Sequence, residues 1–245
     1  MVLTILFLAA LWAGVQNALA GGGSFLTLPA LILSGMDARA ANITSTVALF
    51  PGQLVTGVAN RSHVSGAGGL SFKTLAVISL VGGAIGALLL LLTPSSFFAR
   101  LVPWLVLFAT TLFAWGSFGP KRKQGPRFGS LSAAGSQFAI SIYGGYFGGG
   151  MGFMMLAALT AAGLAIRPAQ ATKNMLAGIL NASAVLIFVF SPQVHWPQAG
   201  IACAGAMLGG MVGARLVHKV NERLLRVLVV AIGLALTIGL FLRAP

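Results

Sequence analysis

Residues 21–44 of this chain recur as residues 149–172, at a constant offset of 128 and without a gap. Gly21-Gly22-Gly23-Ser24-Phe25-Leu26-Thr27-Leu28 aligns with Gly149-Gly150-Met151-Gly152-Phe153-Met154-Met155-Leu156. The register then pairs Ala30 with Ala158, Leu31 with Leu159, Gly35 with Gly163, Arg39 with Arg167, Ala41 with Ala169 and Thr44 with Thr172. Ten identities in so short a window mark an internal repeat. A duplicated chain must fold so that two copies of one unit fit each other. In a strongly apolar chain, a glycine-interrupted segment at the same place in each half points to a secondary transporter and to its binding site.

The chain is that apolar. Of 245 residues, 58% are hydrophobic and 7% charged, and the mean hydropathy is +0.96. Apolar runs fall at about 2–20, 24–34, 40–60, 73–93 and 97–117, then 131–147, 151–165, 168–190, 196–214 and 224–243. Most are long enough to cross a hydrocarbon core of about 30 Å. Long unbroken runs point to helices, because a barrel would alternate over short strands. The second run of each half is too short to span comfortably and follows a glycine cluster, so a half-helix or re-entrant element is expected there. The expected fold is an all-α polytopic membrane protein of two inverted-topology repeats, each with about five hydrophobic segments. The boundaries are 1–117 for the first repeat, 118–130 for a basic linker and 131–245 for the second.

The net charge of +13 comes from 15 Lys and Arg against two acids, Asp37 and Glu222. The basic residues lie mostly between apolar runs, which reads as positive-inside orientation and not as nucleic-acid binding. Lys121-Arg122-Lys123 is then cytoplasmic. An odd number of crossings per half also places Arg61, Lys73, Arg167, Arg215, Lys219 and Arg223 inside, and makes the halves inverted copies. Residues 1–20 end in Ala18-Leu19-Ala20 like a cleavage site, but they lack a positive start and run directly into the repeat; they are expected to belong to the mature fold. The single Cys203 excludes an internal disulfide. The motif Gly82-Gly83-Ala84-Ile85-Gly86-Ala87 resembles Gly209-Gly210-Met211-Val212-Gly213-Ala214 and is expected to pack helices closely.

Few residues in the apolar runs can do chemistry. Three His and two acids supply neither a catalytic set nor a metal cluster, so no enzyme activity and no cofactor is expected. Glycine clusters at helix starts do offer backbone N–H groups in a positive dipole field, which suits anions. Gly21, Gly22 and Gly23 with Ser24, and Gly148, Gly149 and Gly150, are the candidate contacts; tight turns or packing would also explain them. The third run of each half adds Asn42, Thr44 and Ser45, with Thr46 and Gln53, and Thr172, Lys173 and Asn174, with Gln170 and Asn181. These side chains suit an oxyanion, or equally interhelical hydrogen bonding. Lys173 has no acid nearby in sequence: it either meets a substrate anion or extends to the cytoplasmic interface. Arg39 and Arg167 read as interface anchors.

The segment Ala20-Gly21-Gly22-Gly23-Ser24-Phe25-Leu26-Thr27-Leu28-Pro29-Ala30-Leu31, followed by Ala40-Ala41-Asn42-Ile43-Thr44-Ser45, resembles the first motif of the TauE/SafE sulfite-exporter family. Gly145-Tyr146-Phe147-Gly148-Gly149-Gly150-Met151-Gly152, through Ala169-Gln170-Ala171-Thr172-Lys173-Asn174, resembles its second-half motif. The resemblance covers nearly the whole chain. It implies a bacterial or archaeal inner-membrane permease for sulfite, sulfonates or related anions. The expectation is export of a small sulfur-containing anion by alternating access, driven by the membrane potential. An importer or channel for a similar anion, or a non-transporting subunit of a membrane complex, are the alternatives.

Overall fold

The computed structural model describes residues 2–19, 22–59, 61–119, 128–216 and 222–243. Ten α-helices form among them. In chain order these are α1 (Val2–Leu19), α2 (Ser24–Leu33), α3 (Ala38–Ala59), α4 (Phe72–Leu92) and α5 (Ser95–Phe118). The second set is α6 (Ser130–Tyr146), α7 (Met151–Ala161), α8 (Ile166–Phe188), α9 (Trp196–Leu216) and α10 (Glu222–Arg243). Five helices thus precede the basic segment and five follow it, as the apolar runs foretold. The expected cytoplasmic residues Lys121–Arg127 lie outside the described residues, as do Gly21 and Lys219.

Each short helix has 10 or 11 residues, about 15 Å of rise and half of a hydrocarbon core. Their backbones share several turn bonds. Phe25 N–H donates to Gly22 O, and Phe153 N–H to Gly150 O. Met36 N–H donates back to Leu31 O, and Leu164 N–H to Leu159 O, closing both helices in the same way. The turn residues match too: φ is +82° at Gly22 and +75° at Gly150, then +96° at Gly35 and +98° at Gly163. L-residues rarely adopt these angles, which is why both turns use glycine. The long helices that follow start differently. Asp37 Oδ1 accepts from the N–H groups of Arg39 and Ala40 and so caps α3.

Most of the packing recurs when the two sets of helices are exchanged, although α3 meets α5 with no matching contact of that size between α8 and α10. Helix α1 packs on α9 as α6 packs on α4; α3 packs on α9 as α8 packs on α4; α2 meets α10 as α7 meets α5. Helices α3 and α8, and α5 and α10, pack on their own equivalents. In both of these last contacts an element of the first set meets its own counterpart in the second. The α3–α8 contact runs antiparallel: a Cβ at Gly57 would lie 3.3 Å from Asn174 O, one at Gly178 would lie 3.8 Å from Leu54 Cδ2, and Asn181 Nδ2 donates to Gln53 Oε1.

Small residues hold the halves together. A Cβ at Gly209 would lie 1.8 Å from Leu11 O, and one at Gly86 would lie 2.1 Å from Ile142 O. Backbones this close confirm the packing role expected of both glycine motifs, the main route to helix association in lipid. Phe25, Phe98, Phe113 and Phe188 fill the interior. The outside is apolar as well: Trp104, Trp115, Leu186 and Phe190 are each more than 60% exposed. A surface of this kind faces hydrocarbon, and α4, α5 and α8 are each long and apolar enough to cross it. The protein is therefore a multi-pass membrane protein.

Candidate functional site

A cavity of about 70 Å³ lies between α3 and α8 where the two short helices begin. A single water needs roughly 10–15 Å³ by such a measure, so a small anion with part of its hydration shell fits. The lining is built on the repeat. Gly22 and Gly150, Ser24 and Gly152, Ser45 and Lys173, Thr46 and Asn174, Leu49 and Ala177, and Gln53 and Asn181 are six equivalent pairs, and all twelve residues line it. Gln53 and Asn181, one of these pairs, are hydrogen-bonded to each other. Asn17, Thr56, Phe147, Gly148 and Met151 complete the wall.

Seven residues expected from the sequence therefore line one space: Gly22, Ser24, Ser45, Gly148, Gly150, Lys173 and Asn174. Five others face protein partners instead. Gly23 N–H donates to Asn17 Oδ1 at 2.7 Å, and Gly149 O accepts from the Tyr143 hydroxyl at 2.7 Å. Asn42 Nδ2 donates to Tyr146 O at 3.1 Å. Thr44 Oγ1 donates to Gln193 O and accepts from His195 N–H. Thr172 Oγ1 donates to Ser65 O and accepts from Ser65 N–H. Because Thr44 and Thr172, and Ser65 and Gln193, are equivalent positions, the two hydroxyls donate to equivalent carbonyls, while the amides they accept from, those of His195 and Ser65, are not equivalent. Each hydroxyl is a clasp that ties the start of a long helix to the connector after the other half's long helix. Gly21, the thirteenth, lies outside the described residues.

The donors are left open in the same places. Among the described residues, no acceptor meets the backbone N–H of Ser24 or of Gly152. These are the first-turn amides of α2 and α7, where the helix dipole is positive. Lys173 reinforces one of them. It is only 4% exposed, and a Cβ at Gly152 would lie 3.9 Å from its Nζ. Among the described residues, no hydrogen bond or ion pair reaches this ammonium, and no carboxylate lines the cavity. An ammonium against a positive helix end is repelled unless an anion lies between them. Arg39, by contrast, is used structurally: Nη1 donates to Leu91 O and Thr93 O, at the C-terminal end of α4.

Asn17 and Thr56 were not visible as lining residues from the repeat. Asn17 aligns with Gly145, so no matched polar position drew attention to it. Its spacing of six residues before Gly23, enough to reach back and cap a helix start, was the available signal.

Residues 6–240 match the family Sulfite exporter TauE/SafE. The chain belongs to the TauE/SafE family. Its relatives within the curated proteins match along nearly their whole length. It is 29% identical over 237 residues to the probable membrane transporter protein YfcA of Escherichia coli (strain K12), covering 95% of this chain and 87% of that one. It is 30% identical over 247 residues to the probable membrane transporter protein ORF9 of Sinorhizobium sp, covering 97% and 92%. A probable membrane transporter protein of Haemophilus influenzae is 29% identical over 242 residues, covering 96% and 92%. A TauE/SafE protein is a membrane transporter, and the family match runs through both short helices.

Proposed function

We propose that the protein exports a small sulfur-containing anion, such as sulfite or a sulfonate, across a bacterial or archaeal inner membrane by alternating access. The observation that carries this reading is the convergence of one buried ammonium and two helix-start amides that have no partner among the described residues, in a cavity whose described lining holds no acid. A tetrahedral sulfur oxyanion offers both the charge and the acceptor oxygens such a cavity lacks. An inside-negative potential of 100 mV favours loss of a monovalent anion by about 2.3 kcal/mol, roughly fiftyfold in concentration, so no separate coupling ion is needed.

The two repeats are proposed to be inverted in the membrane. Antiparallel contact between the equivalent helices α3 and α8 supports this, because equivalent crossing helices of inverted units must run in opposite directions. The clasps at Thr44 and Thr172 then lie on opposite sides, and opening one while the other holds would expose the cavity to one side at a time. Single-cysteine labelling at Gln124 and Asn221, in a chain lacking Cys203, is expected to find both positions cytoplasmic. Labelling from opposite sides rules out inversion.

Proteoliposomes containing this chain alone, loaded with labelled sulfite or methanesulfonate, test the activity. Saturable efflux that accelerates with an inside-negative potential is the expected result. Flux no faster than in empty liposomes overturns the reading in favour of a subunit that needs partners.

A further inference from the structure

The cavity has a two-fold backbone and a one-sided charge. Of the six equivalent pairs in its wall, only the pair at positions 45 and 173 sets a neutral residue against a cation. The environments differ accordingly. Ser45 is 1% exposed, and its hydroxyl is bonded to Thr27 Oγ1 at 2.5 Å. The position equivalent to Thr27 is Met155, which offers Lys173 no hydrogen bond of that kind. One half therefore closes its polar groups on each other, and the other leaves an ammonium open beside the Gly152 amide.

Resting on the transport reading above, we infer that the cavity selects a singly charged anion whose remaining groups are uncharged, and that residues 45 and 173 decide which half receives the charge. Three observations lead there. Lys173 is the one charged side chain in the wall among the described residues, so a second negative charge on the ligand would have no ion-pair partner. The wall has no carboxylate, so a ligand ammonium would have none either, and it would be repelled by Lys173. Finally, the Ser24 amide stands where the Gly152 amide stands in the other half, so the backbone would accept the charged group at either place. The side chain at 45 or 173 breaks the tie.

Three sulfonates that share a sulfonated methylene and differ at the second carbon separate the possibilities. These are 2-hydroxyethanesulfonate with a neutral end, 2-aminoethanesulfonate with a cationic end and sulfoacetate with an anionic end. Calorimetric titration of the purified full chain in detergent at pH 7 is expected to rank the hydroxyl compound at least tenfold tighter than the other two. Lys173→Ser is expected to lose at least thirtyfold in affinity for it. The exchanged variant Lys173→Ser with Ser45→Lys is expected to regain affinity to within about threefold of the original protein. A lysine needed only for folding or interface anchoring would not be replaced from position 45. Sulfoacetate or the amine binding wild type as tightly as the hydroxyl compound overturns the charge rule while leaving an anion site in place. A folded exchange variant that stays weak overturns the role given to positions 45 and 173. No binding by any of the three removes the site altogether, and this inference with it.

Discussion

Gly22 and Gly150 open two helices with the same first-turn bond, from the N–H three residues on, and nearly the same φ, yet they stand in different surroundings. A Cβ at Gly22 would meet Gln16 Nε2, the end of a flexible side chain, at 3.2 Å. One at Gly150 would meet Ala109 Cβ on α5 at 2.9 Å, where little can give way. Seven residues after the first residue of each long helix the divergence is chemical, with Ser45 against Lys173. One residue earlier the hydroxyls of Thr44 and Thr172 agree again, each donating to a carbonyl of the connector in the other half. The duplicated unit has thus kept its main-chain path, which both copies need in order to fit each other. Side chains have diverged where only the cavity constrains them.

The comparison is broken most sharply at the cavity. Lys173→Met is expected to weaken methanesulfonate binding by at least tenfold, since it removes a charge acting in a poorly solvated place. Lys173→Arg should recover only part of this, because a planar guanidinium occupies the space differently. Ser45→Ala, its counterpart, is expected to change affinity less than threefold. Titration of the four proteins checks the asymmetry, and equal losses at both positions would show that the two halves bind alike.

Next in size are the turns. Gly150→Ala and Gly22→Ala should each cost about 1–2 kcal/mol for a left-handed non-glycine residue. Gly150→Ala carries a further loss from its contact with Ala109, so its melting temperature should fall further. Valine at either position should abolish transport while part of the protein still folds. Normal binding by Gly22→Val or Gly150→Val would remove the helix starts from the site.

The smallest difference belongs to the clasps. Thr44→Val and Thr172→Val each leave partly exposed peptide groups without a hydroxyl partner, so each should destabilise by about 1 kcal/mol. Thermal melts should place the two variants together. Their transport should diverge if the clasps gate opposite sides: one variant should bias the protein toward each face, read as opposite changes in accessibility of a cavity cysteine at position 177.

Much of this was legible in the residues. The ten apolar runs lie within a few residues of the ten helices, because lipid imposes long helices and glycine, proline and charge punctuate them. The repeat register located both short helices, and it found Ser24, Ser45, Lys173 and Asn174 at the cavity. Thr44 and Thr172 show where such reading stops. A matched hydroxyl after a matched glycine cluster suits a ligand or a peptide group equally, and only the path of residues 64–66 and 193–195 decides. Asn42 fell the same way, taken up by the carbonyl of Tyr146 on the far side of the chain. Asn17 had no twin to advertise it.

The exchange of helices between halves has a consequence for how the chain is made. Helix α1 lies in the glycine-lined groove of α9, which begins about 180 residues later in the chain. At a ribosomal pace of about 5–20 residues per second, α1 spends roughly ten to forty seconds in the membrane before its partner is synthesised. The small-residue face of α4 also stays uncovered until α6 emerges. A gene cut between residues 120 and 127 should therefore yield two fragments that are degraded when made singly and recovered together when made in the same cell.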